Sequence, residues 1–271
     1  MIQSALQGAA EMLLRPAGLV SDSFRQGEIL RETAHRPWPP PQHPWLMGQI
    51  WVDLLFAHWP VEAQALEPAV PPQLPLDRFD GSAWVAVTPF VVEGLRLRGT
   101  APVPLLSTFP EINLRTYVSL DGKPGIYFFS LDADSRPAVF AARRSYRLPY
   151  FKSRISVSAA EGEFHYRAER ISEEGPPAEF EASYRPVGDP VPPKPGTLEH
   201  FLTERYCLYT LDDDQSVCRG EIHHPPWPLR EASARIRRNT MGDQVGLALE
   251  GEPLLHYSVR QDVALWGLRS A

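Results

Sequence analysis

A chain of 271 residues, 43% apolar and 22% charged, has ample material for a buried core. Its net charge of −6 excludes a general nucleic-acid binder and a polybasic membrane binder, so neither nucleic acid nor membrane is expected as a partner. Its 29 prolines, about twice the usual proportion, argue against a helical bundle and for short strands joined by stiff turns.

Glu11 and Arg15 interrupt the mildly amphipathic Met1–Val20, so no signal peptide is expected there. Residues 1–44 read as an N-terminal arm: a short helix, then Arg36-Pro37-Trp38-Pro39-Pro40-Pro41 in extended polyproline geometry. A single β-rich domain is expected over 45–271. Trp45–Trp59 reads as a buried strand, and Val61–Val70 as a short helix between Pro60 and Pro71-Pro72. Gly81–Leu97 is another buried strand. Phe109–Leu120 and Gly125–Leu131 flank Asp121-Gly122-Lys123-Pro124, a hairpin signal. A helix follows, capped by Asp134 or Ser135, with Pro137 in its first turn and Leu148-Pro149 at its end. Tyr150–Ala160, Glu163–Ser172 and Ala178–Pro186 form a meander, and Asp189–Gly196 a stiff loop. Thr197–Thr203 reads as a helical turn. Tyr206–Leu211, Arg219–His224, Leu229–Arg237 and Leu254–Leu268 supply the remaining strands.

The two cysteines, Cys207 and Cys218, form neither a disulfide framework nor a CxxC pair, and suit a reduced, cytoplasmic protein. His223-His224 near either cysteine matches no zinc spacing, so no metal or cofactor is expected. His58, between Ala57 and Trp59, is either a hydrogen-bonded core histidine or part of a pocket wall. The bases Arg143, Arg144 and Arg147 late in the predicted helix suit its negative end, and could also hold an anion.

The clearest chemical signal is Glu111-Ile112-Asn113-Leu114-Arg115-Thr116-Tyr117-Val118. Its alternation puts Glu111, Asn113 and Arg115 on one face and Ile112, Leu114 and Val118 on the other. The hairpin partner Ile126-Tyr127-Phe128-Phe129 is aromatic on both faces, as in a sheet covered on both sides. The polar row then lines an enclosed space, forms a structural ion pair, or sits on an exposed edge. If enclosed, its charges must be paired with each other or with a bound molecule.

Several motifs in the right order resemble the YqjF-like family of uncharacterised bacterial proteins. They include Asp53-Leu54-Leu55-Phe56-Ala57-His58-Trp59-Pro60, Phe109-Pro110-Glu111-Ile112-Asn113-Leu114-Arg115, Leu148-Pro149-Tyr150 and His224-Pro225-Pro226-Trp227-Pro228. The resemblance, from about Pro44 to Trp266, implies an acetoacetate decarboxylase-like fold: a duplicated antiparallel β-structure closing into a cone-like barrel with a few short helices and an internal pocket. It also implies a candidate chemistry, because acetoacetate decarboxylase forms a Schiff base through a lysine activated by a neighbouring cation. In the corresponding stretch Tyr150 and Phe151 stand where that family has lysines. Lys152 is then the candidate nucleophile, with Glu111 as a counterpart of a pocket glutamate. Strand parity opposes this: a Glu161-Gly162 turn would set Arg154 opposite Glu169 and place Lys152 on the polar outer face. Three functions stay open: a polar pocket for a small anionic organic molecule lined by Arg115, Asn113, His58 and Tyr150; a β-keto-acid lyase acting through Lys152; or a non-catalytic interaction scaffold. The oligomeric state is not legible in the sequence.

Overall fold

The computed structural model describes residues 27–103 and 107–271, so the expectations placed on Met1–Val20 lie outside the described residues. Twelve strands make one sheet: β1 (Met47–Val61), β2 (Ala83–Leu97), β3 (Phe109–Leu120), β4 (Lys123–Ala133), β5 (Tyr150–Ala160), β6 (Glu163–Arg170), β7 (Glu179–Val191), β8 (Cys207–Leu211), β9 (Val217–His223), β10 (Leu229–Asn239), β11 (Leu254–Leu265) and β12 (Arg269–Ser270). Among the helices of the described residues are α1 (Ala63–Leu66), α2 (Arg136–Tyr146) and α3 (Leu198–Thr203).

The sheet closes on itself twice. A parallel pairing of β4 with β5 completes a larger ring, β4-β3-β2-β1-β11-β10-β7-β6-β5. A parallel pairing of β4 with β8 and an antiparallel pairing of β9 with β11 complete a smaller ring, β4-β3-β2-β1-β11-β9-β8. The strands β11, β1, β2, β3 and β4 therefore form a wall common to both rings.

That wall explains the apolar character of both faces of the β3–β4 hairpin. Ile112, Leu114 and Val118 pack in the larger ring with Val85, Val87, Ala57, Tyr166 and Phe180. Phe109, Ile126 and Phe128 pack in the smaller ring with Phe56, Phe90, Leu208 and Ile222. Burying both faces leaves no alternation for solvent to impose, so β2 reads as a nearly continuous apolar run.

β1 serves both rings through a bulge. Asp53 sits at φ 52° in the middle of the strand, where the pairing with β2 slips by one residue between Val52 and Ala57. Its carboxylate accepts a hydrogen bond from the Tyr257 hydroxyl at 2.7 Å, and its carbonyl accepts one from Tyr184 at 2.9 Å. A bulge reverses side-chain parity. Trp51 faces the smaller ring before it, and Leu54 and Phe56 after it.

Several boundaries differ from the sequence reading. The Val61–Val70 helix is only α1 followed by a 3-10 turn at Glu67–Ala69, because Pro68 has no amide hydrogen to continue the ladder. The first hairpin turns on Asp121-Gly122 alone, both at positive φ, and Lys123 and Pro124 already belong to β4. β7 continues through Pro186 and Pro190 to pair Val191 with Leu229, shortening the expected proline loop. Elsewhere the local chemistry acts as expected. Ser135 caps α2 by accepting from the Ala138 amide at 3.3 Å, and Glu161-Gly162 forms a two-residue turn that sets Arg154 opposite Glu169.

Residues 27–44 pack on the outer surface of β9. Arg36 donates to the Ile222 carbonyl at 2.6 Å and to the Glu221 carboxylate at 3.0 Å, while His223 donates to the Ile29 carbonyl at 2.7 Å. His223 and His224 are thus taken up in packing and hydrogen bonds, and no metal-binding cluster occurs among the described residues. Cys207 and Cys218 are free buried thiols. No helix among the described residues is long and apolar enough to cross a membrane.

Candidate functional site

The two rings are filled differently. In the larger ring a buried charge is paired: Asp132 takes two hydrogen bonds from Arg170, each 2.7 Å, and a third from Ser153, also 2.7 Å. The smaller ring encloses a cavity of about 540 Å³, closed on one side by α2. Leu54, Phe90, Phe128, Leu131, Leu208 and Ile222 make much of its wall.

Into this apolar space project the side chains of Glu111, Asn113 and Arg115. All three are buried, at 4%, 4% and 6% exposure, which excludes the exposed-edge alternative. They share a face because alternate residues of β3 point the same way. A second bulge, between Leu114 and Arg115 in the β3–β4 register, sets Arg115 opposite Phe128. Ala86 pairs with Arg115 across β2, so a small side chain leaves room beside the guanidinium.

Arg115 is the unusual group. Its guanidinium lies 5.2 Å from the Phe56 ring centre and 6.0 Å from that of Tyr117. No ion pair joins it to Glu111 or to another carboxylate among the described residues, and its Nε has no hydrogen-bond partner there. Asn113 Oδ1 is likewise buried without a partner. A buried cation with no anion is expensive, and binding sites are where proteins retain such groups.

Glu111 sits at the other end of the row. The Tyr150 hydroxyl donates to its carboxyl group at 2.9 Å, and Tyr166 donates to its backbone carbonyl at 2.8 Å. Burial raises its pKa to about 8, against the opposing Tyr150 hydrogen bond and reinforced by Asp132. At neutral pH Glu111 is therefore mostly an uncharged acid, a hydrogen-bond donor in an apolar wall. Tyr150, predicted to line a pocket, does so from the first residue of β5.

Two predicted site residues lie elsewhere. Lys152 is not in the cavity wall; its ammonium pairs with Asp134 and donates to the Ser153 carbonyl at 2.9 Å. The face of β5 that carries Tyr150 inward carries Lys152 and Arg154 out past the rim, where Arg154 pairs with Glu169 at 3.1 Å. His58 is fully buried but outside the cavity wall, with Nε2 2.8 Å from the Tyr117 hydroxyl. Burial, then the charge of Arg115, hold its pKa well below the usual histidine value, so it is neutral. Its influence on the cavity runs through Tyr117, whose hydroxyl lies against Arg115. The basic cluster is also occupied: Arg143 pairs with Glu174 and donates to the Tyr150 carbonyl, and Arg147 approaches Asp213 at 3.8 Å.

Several polar residues of the cavity wall were missed, among them Arg96, Thr88 and Tyr146. Thr88 pairs with Asn113 across β2 and β3, is 1% exposed, and its hydroxyl has no partner among the described residues. Tyr146, on the inner face of α2, also has a buried hydroxyl without one. A lone threonine within Ala83-Trp84-Val85-Ala86-Val87-Thr88-Pro89-Phe90 was the available signal for Thr88.

Comparison with solved structures gives the class of this architecture as an acetoacetate decarboxylase-like fold. The chain superimposes on MppR, an enduracididine biosynthesis enzyme solved with pyruvate, with a TM-score of 0.58 at 15% identity, over 88% of this chain and 93% of that one. It superimposes on acetoacetate decarboxylase from Legionella pneumophila with a TM-score of 0.56 at 10% identity, over 90% and 95% of the two chains. At these identities the likeness is one of fold. Residues 48–262 match DUF2071, a family described as an uncharacterized conserved protein, and the chain belongs to that family. Its relative in Bacillus subtilis, "Uncharacterized protein YqjF", is 45% identical over 226 residues, covering 83% of this chain and 92% of that protein.

Proposed function

We propose that the cavity of the smaller ring binds a small organic carboxylate, and that it does so without a lysine Schiff base. The observation that carries this reading is Arg115, a buried guanidinium lining an apolar cavity with no carboxylate partner among the described residues. A ligand carboxylate supplies the missing charge, and the planar fork of arginine suits it. Asn113, two residues away, fixes the ligand's orientation, and the uncharged Glu111 with Tyr150 presents neutral hydrogen-bonding groups at the far end of the row. The fold neighbour MppR was solved with pyruvate, itself a carboxylate. The free thiols of Cys207 and Cys218 suit a reducing cytoplasm.

The same geometry argues against amine catalysis. A Schiff-base lysine must reach the substrate carbonyl in a pocket that lowers its pKa. Lys152 instead holds Asp134 outside the wall, Lys123 lies at a hairpin turn and Lys194 in an exposed loop. Borohydride reduction in the presence of pyruvate, acetoacetate and longer β-keto acids tests this directly. Intact-mass analysis is expected to show no lysine adduct, and an adduct on any lysine would overturn this part of the reading. Calorimetric titration with short and medium-chain carboxylates tests the rest. The wild type is expected to bind at least one of them and the Arg115→Met variant to lose that binding. Absence of binding by every acid sinks the carboxylate reading.

A further inference from the structure

Residues 38–43 and the sheet leave an open cleft of about 480 Å³ between them, on the outer side of β9. Ile222 lines the cavity, so its neighbour Glu221 and, two residues further back, Arg219 face the other way, toward the arm. Trp38, Pro39 and His43 belong to one wall of the cleft, and the Trp266 indole holds that wall through the His43 carbonyl. Three cations line the cleft from three strands: Lys123 from the start of β4, Arg219 from β9 and Arg269 from β12. Solvent reaches all three. Arg269 is exposed, Lys123 is half-buried, and the Arg219 side chain is 21% exposed.

Their charges are not balanced. Among the described residues, Glu221 is the one carboxylate in the wall of this cleft. Its Oε2 already accepts from Arg36 at 3.0 Å and from the Trp38 indole at 2.9 Å, and its Oε1 accepts from Arg219 at 3.1 Å. Arg36 is wholly inaccessible and neutralises that carboxylate from behind. Neither Lys123 nor Arg269 has a carboxylate within ion-pair distance among the described residues; the Lys123 ammonium lies 5.8 Å from the centre of the Trp38 ring. Arg219 and Arg269 stand directly opposite each other in the β9–β12 register, a like-charge pair that costs stability when nothing lies between. A chain of net charge −6 thus gathers Arg36, Lys123, Arg219 and Arg269 around a single carboxylate.

We propose that this cleft is a second binding site, separate from the cavity, for the phosphate group of a small phosphate ester. A planar carboxylate is matched by one guanidinium fork. A tetrahedral dianion presents oxygens in several directions and suits cations that converge from different strands. Arg219 and Arg269 supply forked N–H donors, and Lys123 supplies a flexible point charge. A phosphate between the two arginines turns a repulsive pair into a bridge. Trp38 and Pro39 flank the ester's organic part. The site is independent of Arg115 and of the carboxylate reading above.

Calorimetric titration of the full-length protein at low ionic strength with glycerol 3-phosphate, inorganic phosphate and citrate tests this. Glycerol 3-phosphate is expected to bind most tightly, inorganic phosphate about threefold weaker and citrate at least about tenfold weaker. Raising the salt to about 0.5 M should weaken binding of the ester at least about fivefold. Lys123→Gln combined with Arg269→Gln should lower it at least about tenfold, and a thermal melt confirms that the double variant is folded. Arg115→Met should leave it within about twofold. Absence of binding by both phosphates, citrate binding as tightly as the ester, or full affinity in the double variant overturns the proposal. Inorganic phosphate binding more tightly than the ester overturns the assignment to an ester. Loss of phosphate binding in Arg115→Met puts the anion in the cavity and overturns the second site.

Discussion

The two rings share five strands, yet they treat buried charge in opposite ways. In the larger ring Arg170 meets Asp132 through two short hydrogen bonds and stacks over Phe151, its guanidinium 4.0 Å from the ring centre. In the smaller ring Arg115 also lies beside an aromatic ring, Phe56, but with no carboxylate among the described residues. Burial is nearly the same in both cases, at 8% and 6% exposure. Pairing, not burial, separates a guanidinium that holds the fold together from one held ready for something else.

The comparison breaks most visibly at the paired site. Asp132→Ala leaves Arg170 buried without its anion and should destabilise the protein by about 3–5 kcal/mol, measured by urea unfolding. Arg115→Met, with a similar burial, should cost less than Asp132→Ala, because it orphans no charge, only the Tyr117 hydroxyl that lies against the guanidinium and keeps its contact with His58. It should instead lower carboxylate affinity at least about 100-fold. If Arg115→Met destabilises as much as Asp132→Ala, the distinction drawn between the rings fails.

Acidity sharpens the contrast further. Glu111 has a pKa near 8 in the fold against an ordinary value of 4.5. Across that window the folded state holds a proton that the unfolded chain releases. Stability therefore declines as pH rises from about 4.5 to about 8, and levels off above. Glu111→Gln removes the titration, so its stability-versus-pH curve should lack that decline, and its carboxylate binding should persist above pH 8 where the wild type weakens. A wild-type curve that rises through this window would contradict a raised pKa. The smallest effect is expected at Thr88. Thr88→Val removes a buried hydroxyl without a partner and should raise the stability of the ligand-free protein by up to about 1 kcal/mol, read as a small increase in Tm.

Much of this was legible in the sequence for local reasons. Alternation placed Glu111, Asn113 and Arg115 on one face, and the aromatics of 126–129 on both faces of the neighbouring strand required cover on both sides. The turn Glu161-Gly162 fixed the β5–β6 register because two positive-φ residues close a two-residue hairpin. Ring closure was not legible from the residues alone. The parallel pairings of β4 with β5 and β8 join segments distant along the chain, and no local pattern specifies them. The Asp53 bulge was hidden as well, since a one-residue slip within an apolar run changes no composition. Face alone also could not tell how far a strand accompanies a cavity. Tyr150 and Lys152 share a face of β5, but only Tyr150 lies in the wall. His58 carried a plausible signal, but it sits one layer back, against Tyr117.

The contact between Arg36 and β9 bears on where this protein can be cut. The Arg36 side chain is wholly inaccessible, and it and Trp38 donate to Glu221 while Arg36 also holds the carbonyl of Ile222, whose side chain lines the cavity. The stretch that matches the family starts at residue 48, after these anchors, and stops at residue 262, before Trp266, whose indole holds the His43 carbonyl at 2.7 Å. An expression fragment trimmed to those limits would keep all of the cavity's polar row and remove the brace behind one of its walls. The smallest useful fragment therefore begins no later than Ile29 and runs past Trp266.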